Sequence, residues 1–372
     1  MNTNGDIIMT DATKIVRINY NPTTQTYPSA GGYSICMKTT TTTPVACTSS
    51  GTALDPLPGY PVSPILLNNG TMVVLATRAP GYVFAFWADD LTYIHRTPVT
   101  GLCTGGATCP YEARNTPAAS YTAENRFYVS MNAYEASTLE EHSGYGQMIA
   151  FEANSITGTI DTKWSYSFAG PSGASPVVLP VAGGSKSDIY FDGFGNMDPR
   201  LIKVADDGGS SYTFRWQSTS GDFPNRIPAS VTVDTGKGRS CVWAYSIARQ
   251  LLKCVNLGNT YNVDNTIDVG SLVPASFPAS VLTMTHPSTG GAVILLCVNF
   301  VGTNPGRILA IQVTGDYTTS NFSAAKYWDF ALPQNGEYAP TQFPIVTDTT
   351  GPYSTLAFPT SQNRLYLYSN KP

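Results

Sequence analysis

Few side chains in this sequence are equipped for chemistry, and most of those that are gather in short stretches. Residues 131–146 read MNAYEASTLEEHSGYG and hold Glu135, Glu140, Glu141 and His142 beside Tyr134 and Tyr145. Residues 192–200 read DGFGNMDPR and hold Asp192, Asn196, Asp198 and Arg200 around Phe194, with Phe191 just before them. Residues 78–82, RAPGY, add Arg78 and Tyr82. Carboxylates and imidazoles move protons, and Arg or Tyr donors steady charge that grows on oxygen. Aromatic residues with few charges suit a largely apolar organic ligand fixed by a few hydrogen bonds. Arg78, Glu135, His142, Asp192 and Arg200 are therefore candidate catalytic residues, and Tyr82, Tyr134, Tyr145, Phe191, Phe194 and Asn196 candidate substrate contacts. Each also has a plainer reading as a turn residue or a solvated loop charge.

Metal and cofactor chemistry find little support. Neighbours in a loop rarely point together, so EEH at 140–142 makes a weak metal cluster. DGFGNMD at 192–198 lacks the ligand spacing and closing Glu of a calcium loop. GxSxG, HExxH, P-loop and dinucleotide fingerprints are absent. No metal and no cofactor is expected. A lyase or hydrolase of extracellular sugars would want paired carboxylates, which Glu135 and Asp192 could supply, but nothing sets their separation. His95 falls within the strand-like TYIHRTPV and His286 within the turn HPSTGG, both better read as structural.

The elements that hold these stretches follow from a repeat. IPASVTV at 227–233 returns as FPASVLT at 277–283, and looser copies are PVSPILL (61–67), TPAASYT (116–122) and GASPVVL (173–179). Their serines, Ser63, Ser120, Ser175, Ser230 and Ser280, are spaced by 57, 55, 55 and 50 residues. TQFPIVT at 341–347 and GDIIMTD at 5–11 extend the series to about seven units. A period of this length marks a propeller or an array. Within a unit, short β-branched and alternating strands are parted by Gly, Asn and Asp turns, as in SPILL, TMVVLAT, YVFAFWA and TYIHRTPV. The fold class expected is all-β, a β-propeller of about seven four-stranded antiparallel blades, or six if the terminal segments merge. Residues 1–372 form one domain, its ring closed by N- and C-terminal strands. The serines are read as packing at the entry to each innermost strand. Longer connections between second and third strands, and between units (101–120 above all), share one propeller face, which makes that face the candidate site.

Composition agrees. Apolar residues make up 42% of the 372 and charged residues only 12%, about half the usual share, which suits strands and turns rather than helices. The net charge of −4 shows no basic stripe, so no nucleic-acid partner is expected. Apolar runs such as AVILLCV are far too short for a membrane span. Six of seven cysteines form close pairs: Cys36 with Cys47, Cys103 with Cys109, and Cys241 with Cys254. With no C-x-x-C and no His near any pair, disulfides are expected rather than zinc. Sequons at Asn69 and Asn321 and the tract TTTTTP point the same way, to a secretory or extracellular protein.

GQMIAFEANSITGTIDTKWSY (147–166 with its leading Gly), GRILAIQVTGDYTTSNFSAAKYWDF (306–330) and GYVFAFWADDLTYIH (81–95) resemble the repeat of quinoprotein-type propellers. In size, repeats, cysteine pairs and Tyr/Thr-rich composition the chain also resembles propeller enzymes of fungal natural-product pathways. Among these are the hetero-Diels–Alderases of tropolone sesquiterpenoid biosynthesis; no catalytic motif carries that likeness. The resemblance implies a cofactor-free reaction on apolar small molecules. A hydroxymethyl tropolone loses water, and the quinone methide adds to a humulene-type alkene to form a dihydropyran. Glu135, His142 or Asp192 would assist loss of water, and Arg78, Arg200 or Tyr134 would steady the tropolone oxygen. The alternative is a secreted binding or scaffold propeller without turnover.

Overall fold

The computed structural model describes residues 6–10, 15–18, 20–21, 23–24, 33–37, 44–47, 62–78, 81–89, 91–103, 106–135, 140–154, 156–172, 174–181, 186–195, 198–224, 231–234, 241–246, 250–272, 276–285, 292–300, 305–316, 321–333, 345–347, 354–359 and 365–369; only the backbone is described for 33–37, 44–47, 135, 140–143, 194–195, 198, 234, 276–285, 292, 299–300 and from 345 onward. The chain divides into two compact units, 1–196 with 203–214, and 197–202 with 215–372.

Seven antiparallel sheets follow one another along the chain among the described residues, and the fold is all-β, of the β-propeller class. The first holds β1 (Ile7–Thr10), β2 (Ile15–Ile18), β3 (Tyr33–Met37) and β4 (Pro44–Cys47) in order. The second holds β5 (Ile65–Leu66), β6 (Met72–Ala76), β7 (Tyr82–Trp87) and β8 (Tyr93–Pro98). The third is larger: β9 (Thr100–Leu102), β10 (Thr108–Ala113), β11 (Ala118–Ala119), β12 (Arg126–Glu135), β13 (Glu140–Asn154) and β14 (Thr159–Phe168). Its order is β14-β13-β12-β10-β9, with β11 also on β12. The fourth is β15 (Val177–Pro180), β16 (Ser187–Gly195), β17 (Asp198–Asp206) and β18 (Tyr212–Gln217). The fifth is β19 (Thr232–Asp234), β20 (Cys241–Ser246), β21 (Leu251–Asn256) and β22 (Val263–Asp268), followed by the short α1 (Val269–Leu272). The sixth is β23 (Ser276–Thr285), β24 (Ala292–Phe300), β25 (Arg307–Thr314) and β26 (Ser323–Ala331). The last is β27 (Ile345–Thr347), β28 (Ser354–Pro359) and β29 (Leu365–Ser369). β1 pairs with β2 and β29 with β28, so a sheet shared by both termini is not among the described pairings.

Alternation explains why the middle strands are apolar throughout. On β6 and β7, Val73, Leu75, Phe84 and Phe86 join Ile15 in one cluster. Met72, Val74, Ala76, Val83 and Ala85 enter another with Phe127, Val129 and Phe151 of the third sheet. Successive residues point to opposite faces, so a strand buried on both sides needs an unbroken apolar run. Leu91 closes the β7–β8 turn at φ 58°, a left-handed backbone that a branched side chain rarely adopts, while its side chain is fully buried in the first cluster. In the second unit, Trp243, Tyr245 and Leu252 pack with Ile294, Leu296, Leu309 and Ile311.

Two expectations of loop structure change. Residues 131–135 and 140–146 are strand, and so are 192–195 and 198–200. The segment 101–120, expected to be a connection, contributes β9, β10 and β11. Pro110 reads against a strand, but here it lies near the sheet edge, opposite Thr100 of β9. Once β10 lies along β12, the backbone of 131–132 has a partner on each side and the hairpin extends.

A charged knot ties the third sheet to β17. Arg126 Nη1 donates to both Asp206 oxygens at 3.0 Å, its Nη2 donates to Glu152 Oε2 at 2.9 Å, and the Tyr128 hydroxyl donates to Asp206 Oδ2 at 2.6 Å. Lys163 Nζ closes on Glu152 at 3.0 Å. Burial alone would raise the Glu152 carboxyl, yet Lys163 and Arg126 hold it below its ordinary range. Arg126→Ala leaves Asp206 buried without its cation, so we expect a loss of about 3–5 kcal/mol in urea unfolding, with Arg126→Ala/Asp206→Ala losing less than the single variant.

Candidate functional site

Three elements of the first unit meet around Asn132. Along the far end of β12, Tyr111 lies opposite Ala133, Glu112 opposite Asn132 and Ala113 opposite Met131. Opposed residues send their side chains to one face. Tyr111, Ala113, Met131 and Ala133 enter the apolar cluster, so Glu112 and Asn132 share the other face. Glu112 is 2% exposed, and Arg114 donates its Nε–H to Glu112 Oε1. Asn132 clasps the connector after β14: its Oδ1 accepts the Ser172 N–H at 2.7 Å and its Nδ2 donates to the Ser172 carbonyl at 3.2 Å. Asn115 Nδ2 donates to the same carbonyl at 3.1 Å. Ser172 Oγ donates to Asp192 Oδ1 at 2.5 Å, and that oxygen also accepts the Ala174 N–H at 3.0 Å. The exposed Arg114 thus pairs with buried Glu112, and Asn115, Asn132 and Ser172 form a clasp that reaches buried Asp192.

The neighbouring backbone is irregular. Asn132 pairs with Gly146, but Tyr134 pairs with Glu141, so residues 142–145 bulge opposite Ala133. Bulges re-aim side chains and are common beside active sites. A Cβ on Gly146 would meet the Phe168 ring and the Gly170 carbonyl, so only glycine fits where β13 returns to the ladder. Likewise a Cβ on Gly81 would meet the Tyr111 carbonyl, which lets the β6–β7 connection lie on β10. Tyr111 donates to the Leu102 carbonyl at 2.7 Å, and burial, then the Cys109 and Cys103 thiols, push its phenol well above the ordinary value near 10.

Of the residues expected in a site, Asp192 lies in this cluster, while Tyr134 and Tyr145 are half-buried beside the bulge. The side chains of Glu135, Glu140, Glu141, His142, Phe194 and Asp198, and the whole of Asn196, lie outside the described residues, as does His286. In register, Glu135 opposes Glu140 across the hairpin. Arg78 is exposed, and Tyr82 is half-buried under the Arg96 guanidinium, 5.3 Å from its ring centre. Phe191 is fully buried, with ring centres of Phe168 at 5.4 Å and Tyr166 at 6.0 Å, so it packs the core rather than facing a ligand. Arg200 belongs to the second unit, where its Nη1 donates to the Ser218 carbonyl. Near it, Asp222 accepts Lys253 Nζ and the Tyr261 hydroxyl, both at 2.8 Å. Glu112, Arg114 and Asn132 were not singled out from the sequence. The signal was the alternation of YEA around Glu112, hidden by Pro110 and a glycine-rich flank.

The cysteines divide. Cys241 and Cys254 are bridged, with Cα atoms 5.5 Å apart. Cys103 and Cys109, expected as a pair, are buried and not bridged to each other: Cys109 stands opposite Gly101, and Cys103 Sγ donates to the Ala107 carbonyl at 3.3 Å. Cys36 and Cys47 lie on adjacent strands, opposite Val45 and Ser34, and their side chains are outside the described residues. Asn321 is exposed, whereas Asn69 is tied into its turn, its Nδ2 donating to Asn125 Oδ1 at 2.6 Å and its Oδ1 accepting the Thr71 and Met72 N–H groups. Among the described residues no group of three or more His, Cys, Asp or Glu is placed to hold a metal, and no helix is long and apolar enough to cross a membrane.

No family model matches the chain, and no curated protein matches it. Solved structures do. It is similar to Sqt1 of Saccharomyces cerevisiae at 11% identity and a TM-score of 0.55, covering 99% of this chain and 97% of that one. It is also similar to a functionally unknown protein from Desulfotomaculum acetoxidans at 8% identity and a TM-score of 0.50, covering 96% and 93%. At such identities the likeness shows the fold, a propeller-like all-β architecture, and nothing about activity.

Burial also raises the phenols of Tyr128 and Tyr190 in the first unit and of Tyr245 and Tyr261 in the second, with nearby carboxylates adding to each shift. A raised phenol keeps its proton in the folded chain, so its stabilisation is complete below pH about 10 and is lost as pH rises further. In an alkaline titration followed at the tyrosinate absorption band, Tyr111 and these four should ionise only together with unfolding.

Proposed function

We propose that the protein is a cofactor-independent enzyme acting on apolar organic substrates, with the cluster around Asn132 as its reactive centre. The reaction proposed is the one the fungal propeller enzymes imply: loss of water from a hydroxymethyl tropolone, then hetero-Diels–Alder addition of the quinone methide to a humulene-type alkene. The observation that supports it is a buried carboxylate, Glu112, standing in register opposite Asn132, whose clasp on Ser172 reaches the buried Asp192, two residues along β12 from the half-buried Tyr134.

Glu112, a carboxylate held by Arg114, would take the proton of the tropolone hydroxyl and deliver it to the departing hydroxide, so that water leaves as the quinone methide forms, while Arg114 would steady the charge on the tropolone oxygen between the two transfers. Tyr134 and Tyr145 would flank the organic rings. Asn132, Ser172 and Asp192 act as positioning residues, because their hydrogen bonds fix the connector and the end of β12. Holding diene and alkene together is the larger contribution, worth up to about 7–11 kcal/mol with good alignment, and a stiff scaffold provides it. The Cys241–Cys254 bridge favours the proposed secretory or extracellular location.

A second reading, a binding or scaffold propeller, is favoured by the same bonds seen differently: Asn132, Ser172 and Asp192 satisfy one another as a structural clasp would.

The two readings part in a product assay. Purified protein is incubated with a hydroxymethyl tropolone and humulene, with heat-denatured protein as control. The enzyme reading expects one stereoisomer well above background, and a rate about 100-fold lower or less in Glu112→Gln with unchanged circular dichroism. Adduct equal to the control in amount and isomer ratio would leave the binding propeller standing.

A further inference from the structure

We infer that the first unit binds an internal water molecule at Ser130, in the seam between β12 and the strands facing it. β12 turns Arg126, Tyr128, Ser130 and Asn132 to one face and the apolar Phe127, Val129, Met131 and Ala133 to the other. Two hydrogen-bond networks use the polar face. At one end, Lys163, Glu152, Arg126, Asp206 and the Tyr128 hydroxyl are joined in series, and the hydroxyls of Ser120, Thr122 and Ser187 cluster nearby at 2.9–3.4 Å. At the other end stand Asn132, Ser172, Asp192 and Asn115.

Ser130 falls between them. It is fully buried, and its Oγ has no hydrogen-bond partner among the described residues. Two more atoms share this condition and this side of the sheet: Arg126 Nε, and Nε1 of Trp164, whose ring lies 5.8 Å from that of Tyr128. Native interiors seldom leave such groups unmatched, and water is their usual partner when two or more polar groups converge. Alternate residues on a strand lie about 6.6 Å apart, so the polar neighbours of Ser130 on this face are Tyr128 and Asn132, one from each network.

The chemistry selects water over an ion. Arg126 and Lys163 meet Asp206 and Glu152, and Ser130 and Trp164 bring no charge, so Ser130 offers nothing for an ion to pair with. The ligand must exchange a hydrogen bond with a neutral hydroxyl, which water does.

Crystal structures of the full chain, wild type and Ser130→Val, test this. The expected result is a solvent peak within about 3.2 Å of Ser130 Oγ in the wild type and none in the variant. A wild-type map with no peak, or with Ser130 Oγ bonded to a backbone carbonyl, overturns the inference. Should the variant fail to fold, the wild-type map decides alone, and a water-to-amide NMR cross-peak at Ser130 in the wild type, expected for a resident water, gives a second decision.

Discussion

Val73 and Val74 are neighbours in sequence, point to opposite faces, and are both buried. A small sheet cannot cover both of its own faces, so each must lie against its neighbours. That constraint sets the rest of the molecule. It calls for unbroken apolar runs in middle strands, as in MVVLA of β6 and CVWAYS of β20, and for polar residues that reach an interior seam to arrive with partners. The third sheet meets both demands at once. One face of β12 is hydrocarbon and joins the second sheet, while the other is a line of Arg, Tyr, Ser and Asn.

The polar face has a cost and a use. A buried ion pair such as Arg126–Asp206 contributes little net stability over a well-packed apolar pair, yet removing one partner is severe. Such a pair therefore discriminates: only one register of β12 against β17 brings Arg126 and Tyr128 to the same carboxylate. Farther along, Asn132 does the same for the connector at Ser172, holding Asp192 and the end of β12 in one relation. Register specificity and a preorganised polar cluster thus come from one strand face.

Much of the architecture was legible because propeller packing writes itself into period and alternation. The recurring Ser phrase falls beside short early strands where described, Ser63 before β5, Ser120 after β11 and Ser175 before β15: Ser120 is buried among hydroxyls and Ser175 Oγ accepts the Thr116 N–H, although Ser63 is exposed. The site was less legible. Asp192 stood out as an acid in a glycine-rich stretch, but the stretch is strand and the acid is buried. Glu112 did not stand out, since its strand exists only because β12 offers an edge, a tertiary fact with no local signature. Phe191 shows the converse: an aromatic beside polar residues looks like a ligand contact until Tyr166 and Phe168 are found on its ring. Spacing alone also suggested Cys103–Cys109, where register sets Cys109 against Gly101.

The edge of β12 is shared by two short strands in tandem, β11 at residues 127–128 and β10 at 131–133. β11 occupies the place that the repeat provides, and β9–β10 is an addition to it. The addition contributes Glu112 and Arg114, while the clasp of Asn132, Ser172 and Asp192 belongs to the repeating frame. The addition is nevertheless built into the core: Tyr111 and Ala113 enter the apolar cluster that joins the second and third sheets, so the hairpin that presents Glu112 also seals a seam, and losing it would open that cluster to water.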